Sequence, residues 1–331
     1  MNKTVTKIFH NTLPSFLGAY LQSDAMQRLK GVNMNCGVNY TSFPLFALKE
    51  PYTRFEHSLN AALIAWHFSQ DPRQALAALF HDIATPAFAH VVDFLHGDHL
   101  RQESTEEKTA EIIQTDGKIM TLLARDGIAF HDICDYHRYP ICDNDSPRLS
   151  ADRLEYTFSN LLRYRLADTE DVRRMYEDIR LTKNEEGIDE LAFQNQEVAV
   201  LFAGYALRCG CIYSSNEHRF AMETLAGILK RAIDASVISE KDLYTDEASV
   251  IRKLQNSDLK DVWCKYTKLK AVHVLAAYEP EALCVDAKKR YIDPLVIGKG
   301  RCRDLDPQLK NSIHAFLNED YNVLLKGEYD E

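Results

Sequence analysis

A helical body with a small mixed α+β region at the C-terminal end is the fold this chain predicts, on three observations. Glycine and proline are sparse for 331 residues, at 13 and 10. Long stretches place apolar residues at the 3.6-residue spacing of a helix that buries one face. After residue 280 the texture changes to β-branched and aromatic residues punctuated by glycine. The body therefore reads as all-α, and an all-β fold does not fit these counts.

Taken in order, residues 58–68 (SLNAALIAWHF) put Leu59, Ala62, Leu63, Trp66 and His67 on one side of a helix. Residues 73–80 form a compact apolar helix entered through Asp71-Pro72, a pair suited to its first turn. The two are expected to lie antiparallel and close. Further helices are predicted over 103–114, 117–125, 151–165, 169–181, 189–208, 216–235 and 247–256. In the last region, residues 288–297 (KKRYIDPLVI) read as extended, Gly298-Lys299-Gly300 breaks them, and Asp306-Pro307 opens a helix over 308–318. GEYDE reads as a polar tail. The expected division is a helical domain over 1–280, with its motifs in 24–160 and helical support in 161–280. A small α+β region over 281–331 packs on it.

Charge and cysteine content narrow the function. Lys plus Arg number 39 against 49 Asp plus Glu, a net charge of −10, which argues against a protein that grips a nucleic-acid polymer through its phosphates. No run approaches the roughly 18 apolar residues of a membrane span, and MNKTVTKIFHNTL lacks a secretory apolar core. A cytoplasmic chain without a membrane partner is the expectation. Eight cysteines without a CxxC pair point to reduced thiols rather than a disulfide framework or a zinc ribbon. Cys209-Gly210-Cys211 reads as a helix end with small thiols, and Gly298-Lys299-Gly300 lacks the frame of a phosphate-binding loop.

The twelve histidines carry the chemistry. His57 stands at the start of the first apolar helix, and the second runs straight into His81-Asp82. An apolar helix that ends in His-Asp leaves buried lone pairs in need of a partner, and a metal ion satisfies both. Asp152 is the best distant candidate to join them, because Ser150 can cap the following helix and place Asp152 in its first turn. Imidazole and carboxylate donors together suit one divalent Mn, Fe, Ni, Co or Zn ion, or Mg.

The order Arg54-Phe55-Glu56-His57, His81-Asp82, Asp152-Arg153-Leu154-Glu155-Tyr156 resembles the HD-domain metal-dependent phosphohydrolases. Gln27-Arg28-Leu29, Phe43-Pro44, Pro86, Phe88, His90 and Asp93 extend the likeness toward the branch of deoxynucleoside triphosphate triphosphohydrolases. The resemblance implies an HD-type helical bundle in which His57, His81, Asp82 and Asp152 hold the metal. It also implies phosphate contact by Arg54, a phosphate-facing His90, and Tyr156 near the substrate. Thr85 and Arg153 complete the expected substrate contacts. Two positions depart from that branch. Thr85 stands where those enzymes place a catalytic histidine, and Glu106, followed by Glu107, stands where they place a second. Asp93, which orients that second histidine in the family, is retained. His90 or Glu106 is then the expected leaving-group acid.

The resulting expectation is a hydrolase of a small phosphorylated substrate, a nucleotide by resemblance, with self-association possible. The alternative is a metal-holding scaffold that has lost hydrolysis and binds a nucleotide or a protein as a regulator. His96 and His99 read as part of a solvated loop, and His131-Asp132 as a decoy pair. With His137, that pair is the most plausible source of ligands for a second metal.

Overall fold

The computed structural model of the chain describes residues 3–47, 51–95, 97 and 108–331. The helices that build the site are α1 (Arg54–Ser69), α2 (Pro72–Phe80), α3 (Val91–Leu95), α4 (Ala151–Arg163), α5 (Gln196–Tyr213), α6 (Asn216–Asp234) and α7 (Pro307–Asn318). Local chemistry sets their starts. Thr53 and Glu56 form a reciprocal capping box on α1, Asp71 accepts from Arg73 N ahead of Pro72, and Ser150 accepts from Arg153 N. Each cap satisfies amide groups that a helix start leaves without partners.

The helices α1, α2, α4 and α5 share one apolar core, which contains Leu59, Leu63, Leu76, Phe80, Leu154, Phe158 and Phe202. A second core gathers around α6, with Phe88, Val92, Leu225, Trp263 and Tyr266. Among the described residues no single helix is long and apolar enough to cross a membrane. The α5–α6 pair, bent by 45°, reaches that length and composition together, and its apolar faces are buried in the two cores.

The expectation of an all-α body with a small α+β appendage is overturned. The chain is 54% helical and carries two sheets, making it a mixed α+β protein. Among the described residues the sheets hold seven strands: β1 (Ile179–Lys183), β2 (Asp189–Phe193), β3 (Leu269–Leu275), β4 (Leu283–Cys284), β5 (Leu295–Val296), β6 (Gly300–Arg301) and β7 (Leu324–Tyr329). One sheet has the order β1-β2-β5-β6, and the other β3-β7-β4. Residues 169–181 do not stay helical past Glu177, nor does 189–208 begin as a helix. Between them β1 and β2 form an antiparallel hairpin, pairing Ile179 with Phe193 and Lys183 with Asp189. Gly187, at φ +75°, supplies the left-handed turn residue.

Strands from either side of residue 280 pair in both sheets. β2 runs parallel to β5 through Ala192↔Leu295, and β3 pairs with β7 through Leu275↔Leu324 and Val272↔Gly327. The stretch read as a polar tail therefore contributes Gly327, Glu328 and Tyr329 to the middle strand of the second sheet. Most of 288–297, read as extended, lies outside any strand and reaches pairing only at β5.

Candidate metal centre

Three side chains from three helices converge. His57 ends the first turn of α1, His81 follows the last residue of α2, and Asp152 is the second residue of α4. The imidazole Nε2 atoms of His57 and His81 are 3.1 Å apart. Asp152 Oδ1 is 2.9 Å from the first and 3.5 Å from the second. Donors bound to one first-row ion at about 2.1 Å stand about 3.0 Å apart at right angles and about 3.4 Å apart at a tetrahedral angle. The observed spacings match, so His57, His81 and Asp152 suit one divalent ion.

The outer nitrogens explain why both Nε2 atoms point inward. His81 Nδ1 donates to the carbonyl of Ala78 at 2.6 Å, which leaves the Nε2 lone pair for a ligand role. His57 Nδ1 donates to Glu155, a fully buried carboxylate that also accepts from Tyr52 Oη, Asn60 Nδ2 and Ser159 Oγ. Burial pulls the His57 imidazolium down, yet Glu155 and Asp152 outweigh it and hold that ring up at about 10. His81 is also raised, with Asp82 and Asp152 overcoming its burial. Asp152 is pushed well below the usual carboxylate range despite burial, because both imidazoles hydrogen-bond to it.

Asp82, the fourth expected ligand, stands slightly apart. Its Oδ2 is 3.6 Å from each Nε2 and accepts from Arg54 Nη1 at 2.8 Å. Its Oδ1 accepts from Thr85 Oγ1 at 2.8 Å. Arg54 accordingly holds Asp82 below the usual range in spite of burial. Arg28 fastens the same turn, donating to the carbonyls of Ile83 and Thr85.

Two of the donors, His81 and Asp152, open onto a cavity of about 480 Å³, lined also by Arg54, Asp82, His90 and Tyr156 among others, with His57 buried behind them. His90 is delivered by two consecutive non-glycine residues in the left-handed region, Phe88 at φ +64° and Ala89 at φ +47°, a conformation held against a cost of order 1 kcal/mol each. Its Nδ1 donates to Asp93 at 2.8 Å. Burial lowers the His90 imidazolium, against the pull of Asp93. Tyr156 is pushed up to about 12 by burial, so its hydroxyl remains a donor.

The other expected residues fall as follows. Arg153 lines the cavity, but its guanidinium is tied to Asp143 at 2.9 Å and to Asn144 Oδ1 at 2.8 Å. Thr85 is 3% exposed and spends its hydroxyl on Asp82 rather than facing the cavity. Glu106, Glu107, His96 and His99 lie outside the described residues. His131 is solvent-exposed beside its own Asp132. His137 reaches the cavity wall, stacked on Tyr136 at 4.1 Å, and does not join the three donors.

Sequence reasoning gave no role to Glu155, to His218 or to the segment 286–291, all of which shape the site. Glu155 had a signal in its spacing: three residues after Asp152, it shares that residue's helix face. His218 and 286–291 had no such local signal.

No family model matches the chain. It is similar to an uncharacterized protein, YdhJ, of Bacillus subtilis, at 24% identity over 250 residues, which is 75% of this chain and 74% of that protein. It is also similar to a protein of Cordyceps militaris named metal-dependent phosphohydrolase cns2. That match is 24% identical over 226 residues, or 68% of this chain and 64% of the relative.

Proposed function

We propose that this chain is an HD-type metal-dependent phosphohydrolase that cleaves a phosphate ester or anhydride of a small substrate, a nucleotide by preference. The observation that carries the reading is the convergence of His57 Nε2, His81 Nε2 and Asp152 Oδ1 at the wall of a cavity that also receives Arg54 and His90. The name of the Cordyceps militaris relative supports the same chemistry. A divalent ion held by His57, His81 and Asp152, with Asp82 beside them, supplies Lewis-acid activation of water and polarisation of a phosphoryl oxygen.

The chain's own groups do the remaining work. Arg54, fixed by Asp82, presents positive charge where a phosphoryl group gains negative charge. Asp93 fixes the His90 ring through Nδ1, so Nε2 is the atom that meets substrate. A phosphate dianion entering beside His90 offsets the lowering caused by burial, so Nε2 takes up a proton from solvent and gives it to the leaving oxygen as that oxygen's bond to phosphorus breaks. Tyr156 keeps its proton and donates to an oxygen of the substrate. An acidic chain attracts such a substrate through placed cations rather than net charge.

The test is Asp152→Ala, assayed for bound metal by elemental analysis and for turnover of a panel of nucleotides and p-nitrophenyl phosphate with Mn, Fe, Ni, Co or Mg. Loss of both metal and turnover is expected. A variant that keeps both refutes the assignment, and a wild-type protein that binds metal tightly but turns over nothing favours the regulatory scaffold.

A further inference from the structure

One wall of the cavity is built by residues 286–291, more than 130 positions after the last donor, Asp152. This strap is pinned on both sides of Arg290. Before it, Lys289 Nζ donates to the carbonyls of Leu317 and Glu319 at the end of α7, at 2.6 Å each. After it, Asp293 N donates to the carbonyl of Pro147 at 2.9 Å, and the Asp293 carboxylate accepts from Arg303 N at 2.9 Å.

Between the pins the strap rests on α5. A β-carbon at Gly210 would lie 2.2 Å from the main-chain oxygen of Arg290, a separation no side chain tolerates. Glycine within a helix costs about 1 kcal/mol relative to alanine, and here its lack of a side chain lets the strap lie directly on the helix. Seated in this way, Arg290 lines the same cavity as His90, His218, Tyr156 and Arg54. Burial is the largest influence on His90, His218 and Tyr156; after it, the Arg290 charge adds to the lowering of both histidines and opposes the rise of Tyr156, and Arg54 lowers His90 as well. His90 thus shares its cavity with two arginines, Arg54 beside the metal donors and Arg290 on the strap.

We propose that Arg290 is a phosphate-binding residue of this site, holding, together with Arg54, the non-bridging oxygens of the phosphoryl group that meets His90. A guanidinium offers a planar pair of N–H donors that matches two phosphate oxygens. The C-terminal region then belongs to the substrate site. This inference rests on the phosphohydrolase reading and deepens it by naming the residue that reads the phosphate.

The test uses the metal-loaded full chain with inorganic phosphate as the probe, by calorimetry and by inhibition of p-nitrophenyl phosphate turnover. Arg290→Gln is expected to weaken phosphate binding roughly 10- to 100-fold, the range of one charge-assisted hydrogen-bonded pair, with metal content unchanged. Arg290→Lys is expected to recover part of the loss. Gly210→Ala, which displaces the strap without removing the charge, is expected to raise KM more than it lowers kcat. Arg290→Gln with wild-type phosphate affinity and full metal content overturns the inference and leaves the function standing. A metal-loaded wild-type chain that neither binds phosphate nor turns over the ester overturns the phosphohydrolase reading itself.

Discussion

Replacing Glu155 by glutamine removes one charge from beneath the metal donors while keeping the shape. Glu155 accepts four hydrogen bonds in a fully buried position: Asn60 and Ser159 on Oε1, His57 and Tyr52 on Oε2. The new amide nitrogen fits best on the Oε1 side, because Asn60 has a buried Oδ1 without a partner among the described residues and can turn it inward. His57 and Tyr52 then keep an oxygen, and the fold survives. Two effects on metal binding follow, of opposite sign. Loss of the outer carboxylate weakens the limiting affinity by about 10- to 100-fold. At the same time, His57, held at about 10 largely by Glu155 and Asp152 against burial, loses one of the two groups that keep its proton. In the wild type that proton competes with metal, and from 10 down to pH 7 the competition amounts to about 4 kcal/mol. Apparent affinity of the wild type should therefore still climb through pH 9, whereas Glu155→Gln should level off within the window from pH 6 to 9, at a lower plateau. Chelator competition with Zn or Co across that window measures both. An unchanged slope together with an unchanged affinity at pH 9 refutes the role given to Glu155.

Removing the metal with a chelator should lower thermal stability. Saturation at a thousand times Kd contributes about 4 kcal/mol, or about 6 °C for a chain of 331 residues, and calorimetry with and without chelator checks it. His218 is lowered to about 4 by burial first and then by His90 and Arg290. Its folded-state value lies below that of the unfolded chain, so its contribution is complete above about pH 6.5 and is lost as pH falls from there to 4. The loss is at most about 3 kcal/mol, reduced because the ring borders a cavity that admits water. His218→Gln should flatten the acid side of the stability profile measured by denaturant titration. Gly37 sits at φ +78°, with Leu225 2.4 Å and Phe88 3.0 Å from where a β-carbon would lie. Gly37→Ala should cost roughly 2–4 kcal/mol, read from the denaturation midpoint.

What the sequence made legible was what local chemistry decides. Asp71 with Pro72 and Ser150 mark helix starts through groups within four residues, and the His-Asp pair at the end of an apolar helix announces an unmet need for a partner. The hairpin of β1 and β2 was missed because Ile179, Leu181, Leu191 and Phe193 are too few and too closely flanked by helices to separate a two-residue period from a helical one. β7 was missed for a different reason. LLKGEY gains its meaning only from β3 and β4, strands that stand well before it in the chain, and no property of the segment itself names those partners. Arg290 belongs to the same class, since its place in the cavity depends on Gly210 and on Lys289 reaching the end of α7.

The two departures from the resembled pattern take on physical meaning together. A threonine at position 85 cannot supply a proton near neutral pH, but its hydroxyl occupies Asp82 Oδ1 while Arg54 occupies Oδ2, so both oxygens of Asp82 are fixed beside the donors. Asp93, which in the resembled family orients a histidine that this chain lacks, accepts from His90 three residues before it, within the turn that opens α3. A hydrogen-bonded His-Asp pair at the cavity is thus formed from local sequence, independent of what stands at Glu106. On the proposed reading the proton chemistry rests on His90, which burial lowers most, with Asp93 pulling it up and Arg54 and Arg290 adding to the lowering.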